Sequence, residues 1–178
     1  MRFTDDKTPR GGFTLVEILI TLAILGILLV LAIGNFGGMD EKYKVEAETK
    51  QLYADLMDAR GRAMQRNRVS FVRINAGDYQ TYEDTSPAPD GDRALQTGND
   101  TFVASTTVRH GISTDNLVGG ANFTFSFNRN GIASVAGTGT ILLVSQVQPD
   151  YDCITVKPTR IKMGQYLGTF PGGSCVER

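Results

Sequence analysis

Residues 13–33 read FTLVEILITLAILGILLVLAI, and this stretch decides how the rest of the chain is organised. It is 21 residues long with a single charge, Glu17. As an α-helix rising about 1.5 Å per residue it spans about 31 Å, the hydrocarbon thickness of a bilayer. It is apolar on every side, unlike a surface helix with one polar face. The run therefore predicts a membrane-spanning helix. Upstream, MRFTDDKTPRGG carries Arg2, Lys7 and Arg10 against Asp5 and Asp6. Lys7 and Arg10, nearest the apolar run, keep that end cytoplasmic by the positive-inside rule. The remaining chain then lies across the membrane, in the periplasm or outside a bacterial cell.

The whole-chain averages conceal this unevenness. The 178 residues are 41% hydrophobic and 21% charged, with net charge −1 and a mean hydropathy of −0.13. Such values exclude wholesale disorder and a polytopic membrane protein. A pI near 5.8 argues against a strongly basic nucleic-acid protein. One histidine rules out a multi-histidine metal site within one chain, and there is no P-loop, so the chain is not a nucleotide-driven motor.

A secretory signal is cut after its apolar run, at an A-x-A-like pattern. Ala32-Ile33-Gly34 fits that poorly. The unusual junction precedes the run, at Gly11-Gly12-Phe13, where cleavage leaves the apolar helix on the mature protein. Glu17 sits one turn inside that helix, where an unpartnered carboxylate in hydrocarbon is costly. Two readings are open. It stays hydrated at the interface near the positive end of the helix dipole, or it pairs with a cation of another subunit, such as a new α-amino group at Phe13.

Gly12-Phe13-Thr14-Leu15-Val16-Glu17 and the following ILITLAILGILLVLAI resemble the class III signal of type IV prepilins and type II secretion pseudopilins. The resemblance implies cleavage between Gly12 and Phe13 by a prepilin peptidase and N-methylation of Phe13. It also implies that Glu17 positions a subunit joining a filament. One departure is Gly34, where many members have proline.

Gly34, Gly37 and Gly38 form a weak spot for a helix, at about 1 kcal/mol per glycine relative to alanine. Beyond it Val45, Leu52, Leu56, Ala59 and Ala63 recur at helical spacing and predict an amphipathic helix with one core face. Asp40, Glu41, Glu46 and Glu48 load its beginning, and Arg60, Arg62, Arg66 and Arg68 its end, matching the helix dipole. From Val69 the pattern alternates. It predicts strands over 69–74, 79–82, 101–109, 122–128, 131–135, 140–147 and 151–157, with Asn130-Gly131 as a hairpin turn. The expected fold class is α+β: a long N-terminal helix packed on an antiparallel β-sheet head. The expected divisions are a leader at 1–12, a membrane helix at 13–34, its amphipathic continuation at 35–68 and a β-rich head at 69–178.

The stretches ARGRAMQRNRVSF and FSFNRNGIASVAGTGTILLVS, then a short strand and Thr159-Arg160-Ile161-Lys162, resemble the GspH/FimT pseudopilin domain. With the N-terminal signal, the resemblance covers about residues 13–165. It implies a minor pilin or pseudopilin of a type IV pilus or type II secretion pseudopilus, with a major type IV pilin, or a DNA-binding minor pilin acting in DNA uptake, as the alternatives. Implied partners are other pilin or pseudopilin subunits, prepilin peptidase, an inner-membrane assembly platform and, before assembly, membrane lipid. No cofactor or metal is implied.

Cys153 and Cys175 lie in the exported part. A bridge between them would contribute on the order of 3 kcal/mol by loop closure. Two reduced thiols are the alternative, which an oxidising compartment disfavours. His110, Ser113 and Asp115 are too close in sequence to imply a catalytic constellation; His110 reads as a surface histidine at a strand end, and the chain as no enzyme. Asp84, Asp90, Asp92 and Asp100 lack the spacing of an EF-hand and read as a solvated loop. Lys157, Arg160 and Lys162 are candidate DNA contacts, because some FimT-type proteins are thought to bind DNA through a Gly-Arg-x-Arg segment. Here the glycine and the second arginine are missing, and lysine lacks arginine's bidentate fork.

Overall fold

Val45, Thr49, Leu52, Leu56, Ala59 and Ala63 lie on one helical face, and none is more than 1% exposed. Recurrence every three or four residues places them one above another. In the computed structural model, which describes residues 12–115, 123–135, 138–170 and 172–178 (side chains of 31–37 and 115 excepted), these residues belong to helix α1, Leu15–Arg66. Two compact units divide the chain, the second being Asp40–Arg178.

Among the described residues of that second unit, nine strands follow α1: β1 (Ser70–Ile74), β2 (Asp78–Glu83), β3 (Thr101–Thr107), β4 (Ile112–Asp115), β5 (Phe123–Phe127), β6 (Gly139–Leu143), β7 (Cys153–Val156), β8 (Ile161–Leu167) and β9 (Ser174–Glu177). They form two antiparallel sheets, ordered β3-β2-β1-β5 and β4-β6-β7-β8-β9. The expected single sheet is thus two, and one apolar cluster joins both to the helix face. Val72, Ile74, Tyr79, Phe125 and Phe127 come from the first sheet, and Ile141, Leu143, Ile154 and Val156 from the second. The opposite face of the first sheet carries Phe71 and Tyr82, covered by Leu95 from the 84–100 loop. The α+β class matches the sequence expectation.

Asn67 ends the helix by turning left-handed at φ 53°, while Arg68 N–H reaches back to Ala63 O at 3.2 Å. This is the geometry of a Schellman cap, available to asparagine at low cost. Helical pairing runs through Gly34–Gly38, so the expected weak spot is one of propensity and not a break.

Several strands differ from expectation. Residues 131–135 form no strand, only a bridge between Phe127 and Ala133, because Ala133 N–H is taken by Pro158 O at 2.8 Å. Asn130-Gly131 does turn the chain, with Gly131 at φ 71°. Strand β3 stops at Thr107, and β4, β8 and β9 were not foreseen as separate strands. The first eleven residues, and with them Arg2, Lys7 and Arg10, lie outside the described residues.

Leu56 is fully buried, whereas Met57 on the neighbouring position is 38% exposed. Leu56→Ala should destabilise the protein by about 2–5 kcal/mol, and Met57→Ala by less than about 0.5 kcal/mol. Chemical denaturation of the two variants measures the difference.

Candidate functional site

From Gly12 to Thr14 the N-terminal signal has no regular secondary structure, and it enters α1 at Leu15. Thr14 Oγ1 accepts a hydrogen bond from Glu17 N–H at 3.2 Å, and Thr14 O accepts from Ile18 N–H at 3.2 Å. Thr14 is therefore the N-cap, and Thr-x-x-Glu is the signature of a capping box. That role was readable in the sequence but missed there. It places Glu17 in the first turn, where the backbone N–H groups concentrate positive potential. Around the helix, large apolar side chains stand open, from Phe13 at 80% to Val30 at 73%. Among the described residues, no helix is long and apolar enough to cross a membrane; the expected span includes 31–33, whose side chains lie outside the described set.

His110 is not a surface histidine: its side chain is 10% exposed. Its Nδ1 lies 2.8 Å from Glu48 Oε2 and its Nε2 lies 2.9 Å from Glu41 Oε1. Glu48 also accepts the N–H groups of Arg109 and His110, at 3.1 and 3.2 Å. Glutamates seven residues apart on α1 thus clasp the β3–β4 connection from both sides of the ring. Burial works against the charged imidazole, yet hydrogen bonds to Glu41 and Glu48 outweigh it and hold the His110 pKa above its ordinary value. For Glu48, burial pushes the carboxyl up, but the bonds from His110 and Arg109 leave it lowered. Only the imidazolium donates from both nitrogens, so the clasp is a protonated-histidine structure.

Of the four loop carboxylates, Asp90 and Asp92 are exposed, as the sequence suggests, but the other two are not solvated. Asp84 is fully buried and Asp100 is 7% exposed. Asp84 accepts from the N–H groups of Asp92 and Arg93 at 3.2 and 2.7 Å. Asp100 accepts from those of Thr85, Ser86 and Gln96 at 3.0, 3.1 and 2.7 Å. These carboxylates fold the loop by satisfying its backbone donors. Burial pushes the Asp84 carboxyl up, partly offset by the Arg93 N–H bond. Among the described residues, no cluster of side chains has a metal-holding arrangement.

Lys157, Arg160 and Lys162 do converge, on a carboxylate that sequence reasoning missed. Glu177 Oε1 meets Lys157 Nζ at 3.2 Å and an Arg160 guanidinium nitrogen at 3.5 Å, and Oε2 meets Lys162 Nζ at 2.8 Å. Hydrogen bonds from Lys162 and Lys157 hold the Glu177 pKa down to about 2, so it stays charged at any physiological pH. Glu177 lies on β9, which is tied to β7 by the Cys153–Cys175 disulfide, with a Cα–Cα distance of 6.0 Å. Strand β8 pairs with both, Gly164 opposing Cys153 and Glu177. A Cβ on Gly164 would lie 2.1 Å from Val176 O, so glycine alone permits this approach.

The arginines at the end of α1 are mostly engaged in structure. Arg60 donates to Thr159 O at 3.2 Å, Arg62 to Asp58 at 2.6 Å and Arg66 to the buried Glu83 at 2.8 Å. Both ring nitrogens of His110 are spent on glutamates, and the Asp115 side chain lies outside the described set.

Residues 48–159 match the family described as Type II transport protein GspH. The chain belongs to the GspH family. Residues 7–33 match the prokaryotic N-terminal methylation motif, so this GspH-family chain is a pilin-like structural subunit. A similar solved structure is the minor pseudopilin EpsH from the Type 2 Secretion System of Vibrio cholerae, with 17% identity and a TM-score of 0.47. That likeness covers 68% of this chain and 97% of that one. No curated protein matches the chain.

The His110 clasp makes stability of the GspH-family head pH-dependent, with a definite sign. A raised histidine pKa contributes stability that is fully present below the ordinary value of 6.5 and lost as pH rises through the folded value. Thermal melts from pH 6 to 9 should show a falling midpoint that His110→Ala flattens, with about 1–2 kcal/mol lost in the variant at pH 6. At the other cluster, Glu177→Gln should elute from heparin at higher salt than the native chain. Identical elution would mean that the three cations are not accessible to a polyanion.

Proposed function

We propose that the chain is an inner-membrane precursor with a cytoplasmic N-terminus, cut between Gly12 and Phe13 by a prepilin peptidase. Phe13 is then N-methylated, and the subunit polymerises through its N-terminal helix. Residues 1–12 act as the leader, 13–34 as the membrane and polymerisation helix, 35–68 as its continuation and 69–178 as the head beyond the membrane. The observation that carries this reading is the apolar surface running round the whole helix from Phe13 to Val30, every described side chain exposed. A surface of that size is stable only when lipid or other helices cover it.

Glu17 acts as the assembly carboxylate. Its place in the first turn, capped by Thr14, holds it near the helix end that the cut exposes. A new α-amino group at Phe13 of a neighbouring subunit supplies the opposite charge. In hydrocarbon such a pair costs less than two separated ions, which favours docking in one axial register. The family match supports a type II secretion pseudopilus as the filament. The work of the protein is structural, so no substrate or cofactor enters.

Co-expression with a prepilin peptidase and a matching assembly system tests this. Mass spectrometry should find a mature chain beginning with N-methylated Phe13. Glu17→Val should be processed and melt like the native protein, yet fall at least about tenfold in filament incorporation, the effect of losing one charge-assisted contact. An uncut chain, cleavage after the apolar run, or normal incorporation of the variant would each refute the reading.

A further inference from the structure

On the outer side of the first sheet, the loop carrying Arg93 and the turn at 128–130 border a cleft of about 440 Å³. Arg93 and Arg129 both line it, with Ser126, Ser134, Asn128 and Asn130. Unlike the cations at the Glu177 cluster, neither guanidinium has an acceptor among the described residues. Side-chain acceptors of Asn128 and Ser134 in the lining are already engaged. Asn128 Oδ1 accepts from the N–H groups of Asn130 and Ile132, both at 2.9 Å. Ser134 Oγ accepts from Ser126 N–H at 2.9 Å and bonds Ser126 Oγ at 3.1 Å. The cleft thus offers donors and asks for a ligand rich in acceptors.

Arg93 stands at φ 67°, a left-handed conformation that costs a side-chain-bearing residue energy and that glycine adopts freely. The buried carboxylate of Asp84 fastens this backbone by accepting Arg93 N–H at 2.7 Å. The neighbouring Asp92 is spent on Ala94 N–H at 2.9 Å and Gln96 Nε2 at 2.7 Å. An arginine is therefore held in a strained position on a fixed loop, its head without an acceptor, across the cleft from a second arginine.

We propose that this cleft binds an acidic peptide segment of a partner protein, with Arg93 and Arg129 each forking onto a carboxylate. Arginine's planar fork matches a carboxylate bidentately. The lining includes no aromatic ring, so it lacks the stacking platform on which single-stranded nucleic acid is held. This site is separate from the N-terminal helix and does not depend on the filament reading.

The full chain in neutral detergent, titrated into fluorescently labelled hexaglutamate at low ionic strength, tests the proposal by anisotropy. Saturable, salt-sensitive binding is expected. Both Arg93→Gly and Arg129→Ala should weaken it about tenfold or more, while Lys162→Gln at the other cluster leaves it unchanged. Arg93→Gly should melt at the native temperature or above it, because glycine relieves the left-handed strain. Loss of binding in a variant that melts normally separates ligand contact from folding. Absence of hexaglutamate binding, equal binding by Arg93→Gly and Arg129→Ala, or binding of inorganic phosphate or an oligothymidylate in place of hexaglutamate would each overturn the proposal.

Discussion

Burial of a single helix face is the constraint on which the head depends. Val45, Leu52, Leu56, Ala59 and Ala63 belong to one cluster with the core residues of both sheets, and Thr49 is buried on the same helical face. A twisted sheet with one apolar face has to cover it, and the two here share the same helical cover. Alanines at 59 and 63 keep that part of the helix narrow within the same buried cluster, which includes Phe125 and Phe127. Thr49, alone among these residues in carrying a polar group, spends its hydroxyl on Val45 O at 2.9 Å, so the core has no unanswered donor there.

Around that core, carboxylates act as fasteners. Glu48 gathers two backbone N–H groups and a ring nitrogen, Asp84 and Asp100 gather five backbone N–H groups between them, and Glu177 gathers three cations. An ionised carboxylate has about four acceptor sites, which suits it to pin irregular chain that no sheet ladder can satisfy. The head thereby keeps a long loop and a chain terminus in place without enlarging its core.

The first part of α1 has the opposite character. Its described apolar side chains are exposed, so its physical state is decided by what surrounds it. The same polypeptide contains one element whose stability is internal and one whose stability is borrowed from lipid or from other subunits. That division is the physical meaning of a polymerising subunit with a folded head.

Much of this was legible in one dimension because it depends on local periodicity. The apolar run, the core face of the helix at 45–63 and the alternation of β1 and β2 repeat within a few residues, so spacing alone reveals them. The Thr14–Glu17 cap was equally local and could have been read. Strand β9 could not, because its four residues form a strand only by pairing with β8 and bonding covalently to β7. The clasp at His110 joins residues 62 and 69 positions apart, and the Glu177 cluster joins three cations to an acid at the far end of the chain. Sequence by itself determined the helix, its two contrasting surfaces and the class of the fold, since hydrophobic spacing acts over a single turn or pleat. Only the tertiary structure decided which charges were spent on one another and which, at Arg93 and Arg129, have no acceptor among the described residues. Electrostatic pairing acts through space, and its strength depends on burial and distance, which chain position does not record.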